Sequence, residues 1–244
     1  MGKLFHRILY RLLPLEGYLR VVSRLFFLYR AVGLGRKGRA LEYAYHLPQL
    51  VSRGDVAIDI GANLGYYTCP LSDIVGQQGR VYAVEPVPVI FDVLKHNVGS
   101  RKNVELLNYA LGDSECAVEM ANDSVASGGY FGTGRNFVSD GSLSADAIRF
   151  TAQMKRGSEL FAGLERVDFI KCDIEGYERV VLPELRPLLE RFHPMVLVET
   201  DGESRKQMIK MFSEMGYAAY MLCDGQEVAL DAESDKDIIF RYNR

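Results

Sequence analysis

Short apolar runs and longer helix-like stretches alternate along most of the chain. The runs are rich in Val, Ile and Leu, and they lie at 56–60, 80–86, 103–111, 167–172 and 194–200. Helix-like stretches at about 65–75 and 88–98 separate the first three runs. Short apolar runs bounded by turn residues are typical of buried strands, and a period near 3.6 is typical of helices. This alternation predicts an α/β fold whose parallel sheet is joined by right-handed crossovers.

The C-terminal part continues this pattern and then changes it. After the fourth run a helix is predicted as far as about Leu189, and another over 203–214. The segments 216–222 and 236–242 have strand character, and we expect them to form a final antiparallel pair.

Two further strand-like segments, 116–120 and 147–151, flank a stretch of different composition. Residues 121–146 are rich in Gly, Ser, Asn and Asp and are predicted to form a loop. A loop of that length inside a compact domain is usually functional or disordered.

Residues 3–30 have an amphipathic helical pattern in which basic residues lie between apolar ones. The apolar positions recur every three or four residues, at Leu4, Ile8, Leu12, Leu15, Leu19, Val22, Leu25 and Leu28. Pro14 and Gly17 predict a break into two helices. Such helices either lie in a membrane interface or pack against the domain or a second copy of the chain. The pattern leaves both interpretations open.

These patterns divide the chain into two parts. Residues 1–39 form a basic helical extension that ends in a linker at 33–39. Residues 40–244 form the main domain, which is predicted to begin with a helix at 40–51. A chain of 244 residues is long enough for one sizeable core with such an extension.

The charge of the chain is unevenly distributed. Net charge is −3, yet residues 1–40 carry nine of the 29 Lys and Arg but only one of the 32 Asp and Glu. The acidic remainder argues against nucleic-acid binding by the domain. The excess of basic residues in 1–40 favours binding of this segment to an anionic partner.

The cysteines and the apolar runs indicate the compartment. Cys69, Cys116, Cys172 and Cys223 are far apart and match no zinc or redox spacing, which favours a reducing environment. No apolar run reaches the length of a transmembrane span, and the front does not resemble a signal peptide. We therefore expect a cytoplasmic protein, with the inner face of the membrane as one candidate surface for residues 1–40.

The stretch 55–68, DVAIDIGANLGYYT, combines a strand, a glycine turn and the start of a helix. Asp59 precedes the turn, which holds Gly61, Asn63 and Gly65. Glycines let the backbone approach a ligand closely, and a helix N-terminus offers unpaired N–H groups. The spacing differs from the G-x-G-x-x-G of dinucleotide sites. S-adenosylmethionine has no pyrophosphate, and an acid with backbone groups can hold its amino-acid tail, so this turn predicts its binding site.

Two residues at the ends of the next strands extend this prediction. Glu85 lies 24 residues beyond Gly61, where an acid can accept hydrogen bonds from both ribose hydroxyls. Asn108 ends the third strand and is a candidate for reading adenine, although Asn at such a position is also a common turn former.

Three acids lie at the ends of the fourth and fifth predicted strands. Asp173 and Glu175 follow one strand, and Glu199 ends the other. Ligands of open α/β sheets bind outside the carboxyl ends of the strands. The cluster therefore offers a general base or oxygen ligands for a divalent cation. Glu175 could instead simply favour the N-terminus of the following helix.

Taken in order, several segments resemble the FkbM family of S-adenosylmethionine-dependent methyltransferases. They are GDVAIDIGANLGYYT, YAVEP, NYALGD, VDFIKCDIEGYE and VLVET, and the resemblance covers about residues 40–200. It implies a class I, Rossmann-like fold: a seven-stranded, mostly parallel sheet with an antiparallel last strand and helices on both faces. It also implies O-methylation of hydroxyl groups on sugars or natural products.

The resemblance assigns roles to particular residues. Those that hold the methionine portion are Asp59, Gly61, Asn63 and Gly65, with Tyr67 and Thr68 beside them. Glu85 holds the ribose. Asp173 lies beside the methyl group, while Glu175 and Glu199 face the acceptor.

The chain departs from the family pattern before the fourth strand. Family members often have a threonine–leucine–aspartate stretch there, whereas this chain has TAQMKRGSELFAGLERVD. We expect residues 121–165 to form a variable insertion that shapes the acceptor pocket. Two other functions stay open at this point: a non-catalytic, membrane-associated binding module on the same scaffold, and a nucleotide-dependent oxidoreductase, which the turn spacing disfavours.

Overall fold

The computed structural model describes residues 2–36, 41–139, 147–231 and 233–243. Its helices are α1 (Lys3–Leu12), α2 (Leu15–Ala31), α3 (Glu42–Leu50), α4 (Thr68–Val75), α5 (Pro88–Val98), α6 (Ser124–Gly128), α7 (Gly157–Leu160), α8 (Glu178–Glu184), α9 (Arg186–Phe192) and α10 (Gly202–Glu214). Its strands are β1 (Val56–Ile60), β2 (Arg80–Val84), β3 (Val104–Leu107), β4 (Ala110–Gly112), β5 (Cys116–Asn122), β6 (Asn136–Val138), β7 (Ile148–Arg156), β8 (Phe169–Cys172), β9 (Met195–Val198), β10 (Tyr217–Cys223), β11 (Gln226–Ala229) and β12 (Ile238–Tyr242).

The main sheet has the strand order β11-β10-β12-β9-β8-β1-β2-β3. Strands β3, β2, β1, β8 and β9 are parallel, and β12 is antiparallel to both β9 and β10. The predicted α/β class and the antiparallel pairing of the last two predicted strands are therefore confirmed. The predicted number of seven strands is wrong by one. The extra strand β11 pairs with β10 across Asp224 and Gly225, whose positive φ angles suit a tight hairpin.

The third predicted strand, 103–111, is divided between two sheets. Its first half is β3 in the main sheet, and its second half is β4 in a smaller sheet of order β4-β7-β5-β6. The predicted segments 116–120 and 147–151 become the antiparallel pair β5 and β7. The small sheet was not predicted, because β4 and β6 have only three residues each and β5 and β7 are only partly buried.

The stretch 121–146 is not one loop where the structure describes it. It contains the end of β5, helix α6 and strand β6, while residues 140–146 lie outside the described ranges. The polar composition of this stretch predicts a loop, but its polar side chains form hydrogen bonds within the stretch. Asn122 Nδ2 donates to the Gly132 carbonyl at 2.8 Å and to Asn136 Oδ1 at 3.0 Å, so the turn is ordered through its side chains.

Helices cover both faces of the main sheet. On one face, α3 and α4 place Leu47, Leu71 and Val75 over the sheet. On the other, α8, α9 and α10 cover the sheet with Val181, Leu182, Leu189 and Phe212. Because side chains alternate along a strand, Ile58 and Ile60 face the second group of helices, and Asp59 faces the side of α3 and α4.

The N-terminal helices separate as predicted, at Leu13 and Pro14, although Gly17 lies inside α2. Helix α2 packs on the domain, with Tyr18 and Leu19 fully buried. Their cluster includes Leu64, Val87, Ile90, Val93 and Phe131. Across the described ranges, no helix combines the length and the apolar character needed to cross a membrane.

Candidate active site

Asp59 is a completely buried carboxylate at the end of β1. Thr68, the first residue of α4, donates a hydrogen bond from Oγ1 to Asp59 Oδ2 at 2.6 Å. Asp59 Oδ1 has no hydrogen-bond partner among the described residues. Burial raises the pKa of Asp59, while Lys171 and Thr68 act in the opposite direction. A buried acceptor that lacks a partner is costly, which marks this oxygen as one suited to a cationic ligand group.

Lys171 lies opposite Asp59 on the neighbouring strand β8 and is 4% exposed. Its Nζ donates to Asp173 Oδ2 at 2.7 Å and lies 4.7 Å from the centroid of the Tyr67 ring. Burial alone would lower the pKa of Lys171, but Asp173 and Asp59 hold that pKa above its usual value. The Lys171 ammonium thus links Asp59, near the end of β1, to Asp173, which follows β8.

The two turns at the ends of β1 and β8 touch through their backbones. Gly61 has φ +78°, and a Cβ atom built on it would lie 1.9 Å from the Asp173 carbonyl oxygen. Asn63 also has a positive φ, 52°, in the same turn. Gly65 completes the turn with φ +90°, and a Cβ atom built on it would lie 3.1 Å from Leu94 Cδ1 and 3.3 Å from Cys69 Sγ. Glycine at 61 is required because a side chain would separate the turns.

Glu85 anchors the end of β2 to both adjacent turns. Its Oε2 accepts the Asn63 N–H and its Oε1 accepts the Val87 N–H, each at 2.9 Å. Burial raises the pKa of Glu85 to about 7, although these N–H groups lower it. An ionised carboxylate has about four lone-pair sites, so each oxygen can still accept a second hydrogen bond.

Asn108 supports this corner from the end of β3. Its Nδ2 donates to the Glu85 carbonyl at 2.8 Å and to the Pro86 carbonyl at 3.2 Å. The amide nitrogen is therefore engaged with the backbone of the β2–α5 turn, so it holds that turn in place.

Asp173, Glu199 and Asp237 form a carboxyl cluster at the carboxyl ends of β8 and β9. Glu199 is on the exposed side, and its carboxyl group is hydrogen-bonded to Asp173. Partial burial, followed by the charges of Asp173 and Asp237, raises the pKa of Glu199 to about 8. Burial and the Asp173 charge raise the pKa of Asp237 to about 6. Such a cluster can hold and transfer a proton near neutral pH.

Glu175 stands apart from Glu199, on the other side of Asp173. Partial burial and the charges of Asp173 and Glu178 raise its pKa to about 7. A Cβ atom on Gly134, in the turn before β6, would lie 3.5 Å from Glu175 Oε1. Glu178, not Glu175, accepts the N–H groups of Ile174 and Gly176 at the start of α8. Glu178 thus holds the turn that precedes α8, and Glu175 is left facing the β6 segment.

Two cavities meet at Asp173. The first, of about 60 Å³, has the predicted cofactor residues Gly61, Asn63 and Glu85 in its wall, with Glu175 and the β6 segment. The second, of about 280 Å³, has Tyr67 and Glu199 in its wall, with Phe26 of α2. The predicted site residues in these walls therefore fall on two sides of one carboxylate, whereas Asp59, Gly65, Thr68 and Asn108 are in neither wall.

Sequence reasoning did not single out Lys171, Asp237 or Phe26. Lys171 could have been found, because a lysine inside the apolar run VDFIKC requires a partner. Asp237 and Phe26 reach the site only through the antiparallel pairing of β12 with β9 and the packing of α2. No local sequence pattern predicts that Asp237 or Phe26 lies at the site. Among the described residues, no group of three or more His, Cys, Asp or Glu is placed to hold a metal ion.

The sequence profile of the methyltransferase FkbM domain matches residues 59–219, about two thirds of the chain. The chain belongs to the FkbM methyltransferase family. The match places an S-adenosylmethionine-dependent methyltransferase domain in this chain and disfavours the oxidoreductase alternative. The matched range begins at Asp59 and includes Asp173 and Glu199 of the carboxyl cluster, but not Asp237.

Individual relatives are more distant. Hexuronic acid methyltransferase AglP of Haloferax volcanii is 25% identical over 161 residues, which are 66% of this chain and 62% of AglP. The FkbM methyltransferase structure from Methylobacillus flagellatus is 14% identical, with a TM-score of 0.51 over 78% of this chain and 44% of that one. The structure of Aeropyrum pernix fibrillarin with bound S-adenosyl-L-methionine is 18% identical, with a TM-score of 0.44 over 78% and 67% of the two chains. The Methylobacillus structure supports the class I methyltransferase fold.

Proposed function

We propose that this protein transfers a methyl group to a hydroxyl of a sugar or glycan. The observation that carries the proposal is the position of Asp173, which lies in the wall of both cavities. A donor in the first cavity and an acceptor in the second would meet at this carboxylate. Positioning of two reactants in this way supplies much of the rate of a group transfer.

The polar groups at the ends of β1 and β2 fit S-adenosylmethionine, which supplies an electrophilic methyl group when bound. The first cavity, of about 60 Å³, accommodates only part of this cofactor. Asp59 offers a buried, unpartnered Oδ1 for the ammonium of the methionine portion. Glu85 keeps lone pairs for ribose hydroxyls besides those used by two N–H groups. Tyr67 and Thr68 support this end of the site through Lys171 and Asp59.

The acceptor hydroxyl must lose its proton as the methyl–oxygen bond forms. Asp173 is the candidate base, because Lys171 orients its Oδ2 from 2.7 Å and the backbone of Gly61 packs against its carbonyl. Glu199, whose pKa is raised to about 8, is largely protonated at neutral pH and donates its hydrogen bond to Asp173, so the proton that Asp173 takes up is balanced when Glu199 releases its own to solvent. Glu175 faces the first cavity and is the candidate for closing it with the β6 segment.

Two observations favour a sugar acceptor. The second cavity has aromatic residues in its wall, Phe26, Tyr43, Tyr66 and Tyr67, together with carboxylates. Aromatic faces accept the C–H groups of a sugar ring, and carboxylates accept its hydroxyls. The name of the relative AglP records a sugar acid as that protein's acceptor.

The test separates binding from transfer. S-adenosylmethionine binding is measured by calorimetry, and transfer is measured with a labelled methyl group and a panel of sugars. We expect Asp173→Asn to lose at least a hundredfold in transfer while cofactor affinity changes less than tenfold. Exposed Asp92→Asn, on α5, is the control. Transfer by the Asp173 variant at the wild-type rate would contradict the assignment of the base.

We also propose that α1 lies on an anionic membrane surface. Leu4, Ile8 and Leu12 form one row on α1, and they are 71%, 49% and 73% exposed. Lys3, Arg7 and Arg11 form the adjacent row, also at intervals of four residues. An apolar row beside a basic row is typical of helices at a lipid interface. A second copy of the chain is the other occupant that this face could accept.

Vesicle co-sedimentation distinguishes the two occupants. We expect binding to vesicles that contain phosphatidylglycerol, weaker binding at high salt, and little binding to phosphatidylcholine alone. The paired variant Ile8→Ser and Leu12→Ser should lose binding, whereas Val228→Ser, exposed on β11, should keep it. If the protein does not bind vesicles but forms a dimer, and the paired variant is monomeric, the membrane proposal is wrong and α1 contacts a second copy of the chain.

A further inference from the structure

We infer that the acceptor is an uncharged or cationic sugar, and that Asp237 makes the second cavity reject a sugar carboxylate. This inference rests on the proposed function, because it assigns the second cavity to the acceptor. The name of the relative AglP would suggest a sugar acid as acceptor, whereas we infer a sugar without a carboxylate. Asp237, which gives this selectivity, lies outside the motifs found in the sequence.

The second cavity has an excess of negative charge. Four acidic residues lie in its wall, Asp173, Glu199, Asp235 and Asp237, against one lysine, Lys236. Glu199, whose pKa is raised to about 8, is largely neutral at neutral pH, which leaves three negative charges in the wall. Lys236 Nζ donates to Glu42 Oε2 at 3.0 Å and to the Leu222 carbonyl, so its charge is directed toward α3 and β10. The nearby Lys171 is engaged by Asp173. Arg205, outside the wall, interacts with both Asp235 and Asp237. Among the residues of the wall itself, an anionic acceptor would therefore meet carboxylates and no cation turned toward it.

Asp237 is fixed beside Glu199 by the topology of the sheet. It precedes β12, which runs antiparallel to β9, and Ile238 is the register partner of Val198. Tyr43 Oη donates to the Asp237 carbonyl at 2.5 Å, and Arg205 donates to the Lys236 carbonyl at 2.7 Å. The backbone of this segment is thus held at two points, and its carboxylate is presented to the acceptor in a fixed position.

The remaining wall suits the body of a sugar ring. Phe26 of α2 packs on Tyr66 with ring centroids 4.1 Å apart, and both lie in the wall of the cavity. A volume of about 280 Å³ is at the lower end of ordinary ligand pockets. The cavity therefore fits about one ring, with the aromatic side against C–H groups and the carboxylates against hydroxyls or an ammonium group.

The inference is tested on a complex that cannot react. Protein saturated with S-adenosylhomocysteine is titrated with methyl glycosides in matched sets: neutral, uronate and 2-amino forms of glucose, galactose and mannose. Saturation-transfer NMR and calorimetry measure the affinity of each. We expect the best neutral or amino glycoside to bind at least tenfold more tightly than its uronate counterpart, which is about 1.4 kcal/mol. Asp237→Asn should reduce that ratio at least threefold, and the exposed Asp92→Asn should leave it unchanged.

Equal or tighter binding of the uronates, no binding by any member of the panel, or an unchanged ratio in Asp237→Asn would overturn the inference. Thermal unfolding of each variant confirms that it is folded. Failure of the proposed function gives a different result, since a neutral glycoside would bind preferentially but receive no methyl group. If transfer occurs equally to neutral glycosides and uronates, the inference fails and the proposed function stands.

Discussion

Asp59 and Lys171 lie opposite each other on the neighbouring parallel strands β1 and β8, and both are almost completely buried. Lys171 also donates to Asp173, so one ammonium serves the acids at the ends of two strands. Removal of one member of a buried charged group leaves the others uncompensated. The arrangement therefore makes the geometry of the site depend on a residue that need not touch either substrate.

Lys171→Met should reduce the free energy of unfolding by about 3–5 kcal/mol, because Asp59 and Asp173 lose their common cation. Cofactor affinity should fall as well, since the two turns lose their link. Denaturant unfolding and calorimetry measure the two effects. Lys210→Met, on the exposed side of α10, should change stability by less than about 0.5 kcal/mol. A Lys171 variant as stable as this control would disprove the role of the buried ammonium.

Gly61→Ala should separate the β1–α4 turn from the β8–α8 turn. Its Cβ atom would overlap the Asp173 carbonyl, and its backbone has φ +78°. Gly54→Ala is a matched control, because Gly54 has φ +88° and nothing within 4 Å of the added atom. The control should cost roughly 1–2 kcal/mol for its backbone alone. Gly61→Ala should cost more and also weaken cofactor binding. Equal losses in both variants would mean that the turns do not need this contact.

Glu85 and Glu199 predict a loss of stability as pH rises. Glu85 and Glu199 have pKa values raised to about 7 and about 8, above their usual 4.5. The stability that such groups contribute is fully present below the unfolded pKa and is lost as pH rises through the folded pKa. The free energy of unfolding should therefore fall between pH 5 and pH 9. Glu199→Gln should show a smaller fall than the wild type; an identical fall would contradict the raised pKa of Glu199.

Two variants of Asn108 distinguish a structural role of this side chain from recognition of adenine. Asn108→Ala removes two hydrogen bonds to the β2–α5 turn and should cost about 1 kcal/mol per bond. Asn108→Asp keeps an acceptor oxygen but cannot donate to the two carbonyls. If the side chain mainly holds the Glu85 turn, both variants lose cofactor affinity. Retained affinity in Asn108→Asp alone would favour recognition of adenine through the side-chain oxygen.

The sequence was most informative where chemistry and topology coincide locally. Asp59, the glycine turn and Glu85 lie at ends of strands that follow one another along the chain, so spacing alone places them together. Asp237 directly precedes β12 and Phe26 lies in α2; both are far from the turn in sequence and are brought in by sheet pairing and helix packing. The small sheet was missed because β4 and β6 have only three residues each and the turn before β6 is held by side-chain bonds such as those of Asn122. Hydrophobic periodicity does not encode such contacts.

The most direct test of the central claim is to follow a labelled methyl group from S-adenosylmethionine to a sugar and then treat the product with mild alkali. A methyl ether, formed on a hydroxyl, survives this treatment, whereas a methyl ester, formed on a sugar carboxylate, is hydrolysed. We predict alkali-stable label on a neutral or amino glycoside, lost in Asp173→Asn. Label that appears only on uronates and is removed by alkali, or no transfer to any sugar, would contradict the account.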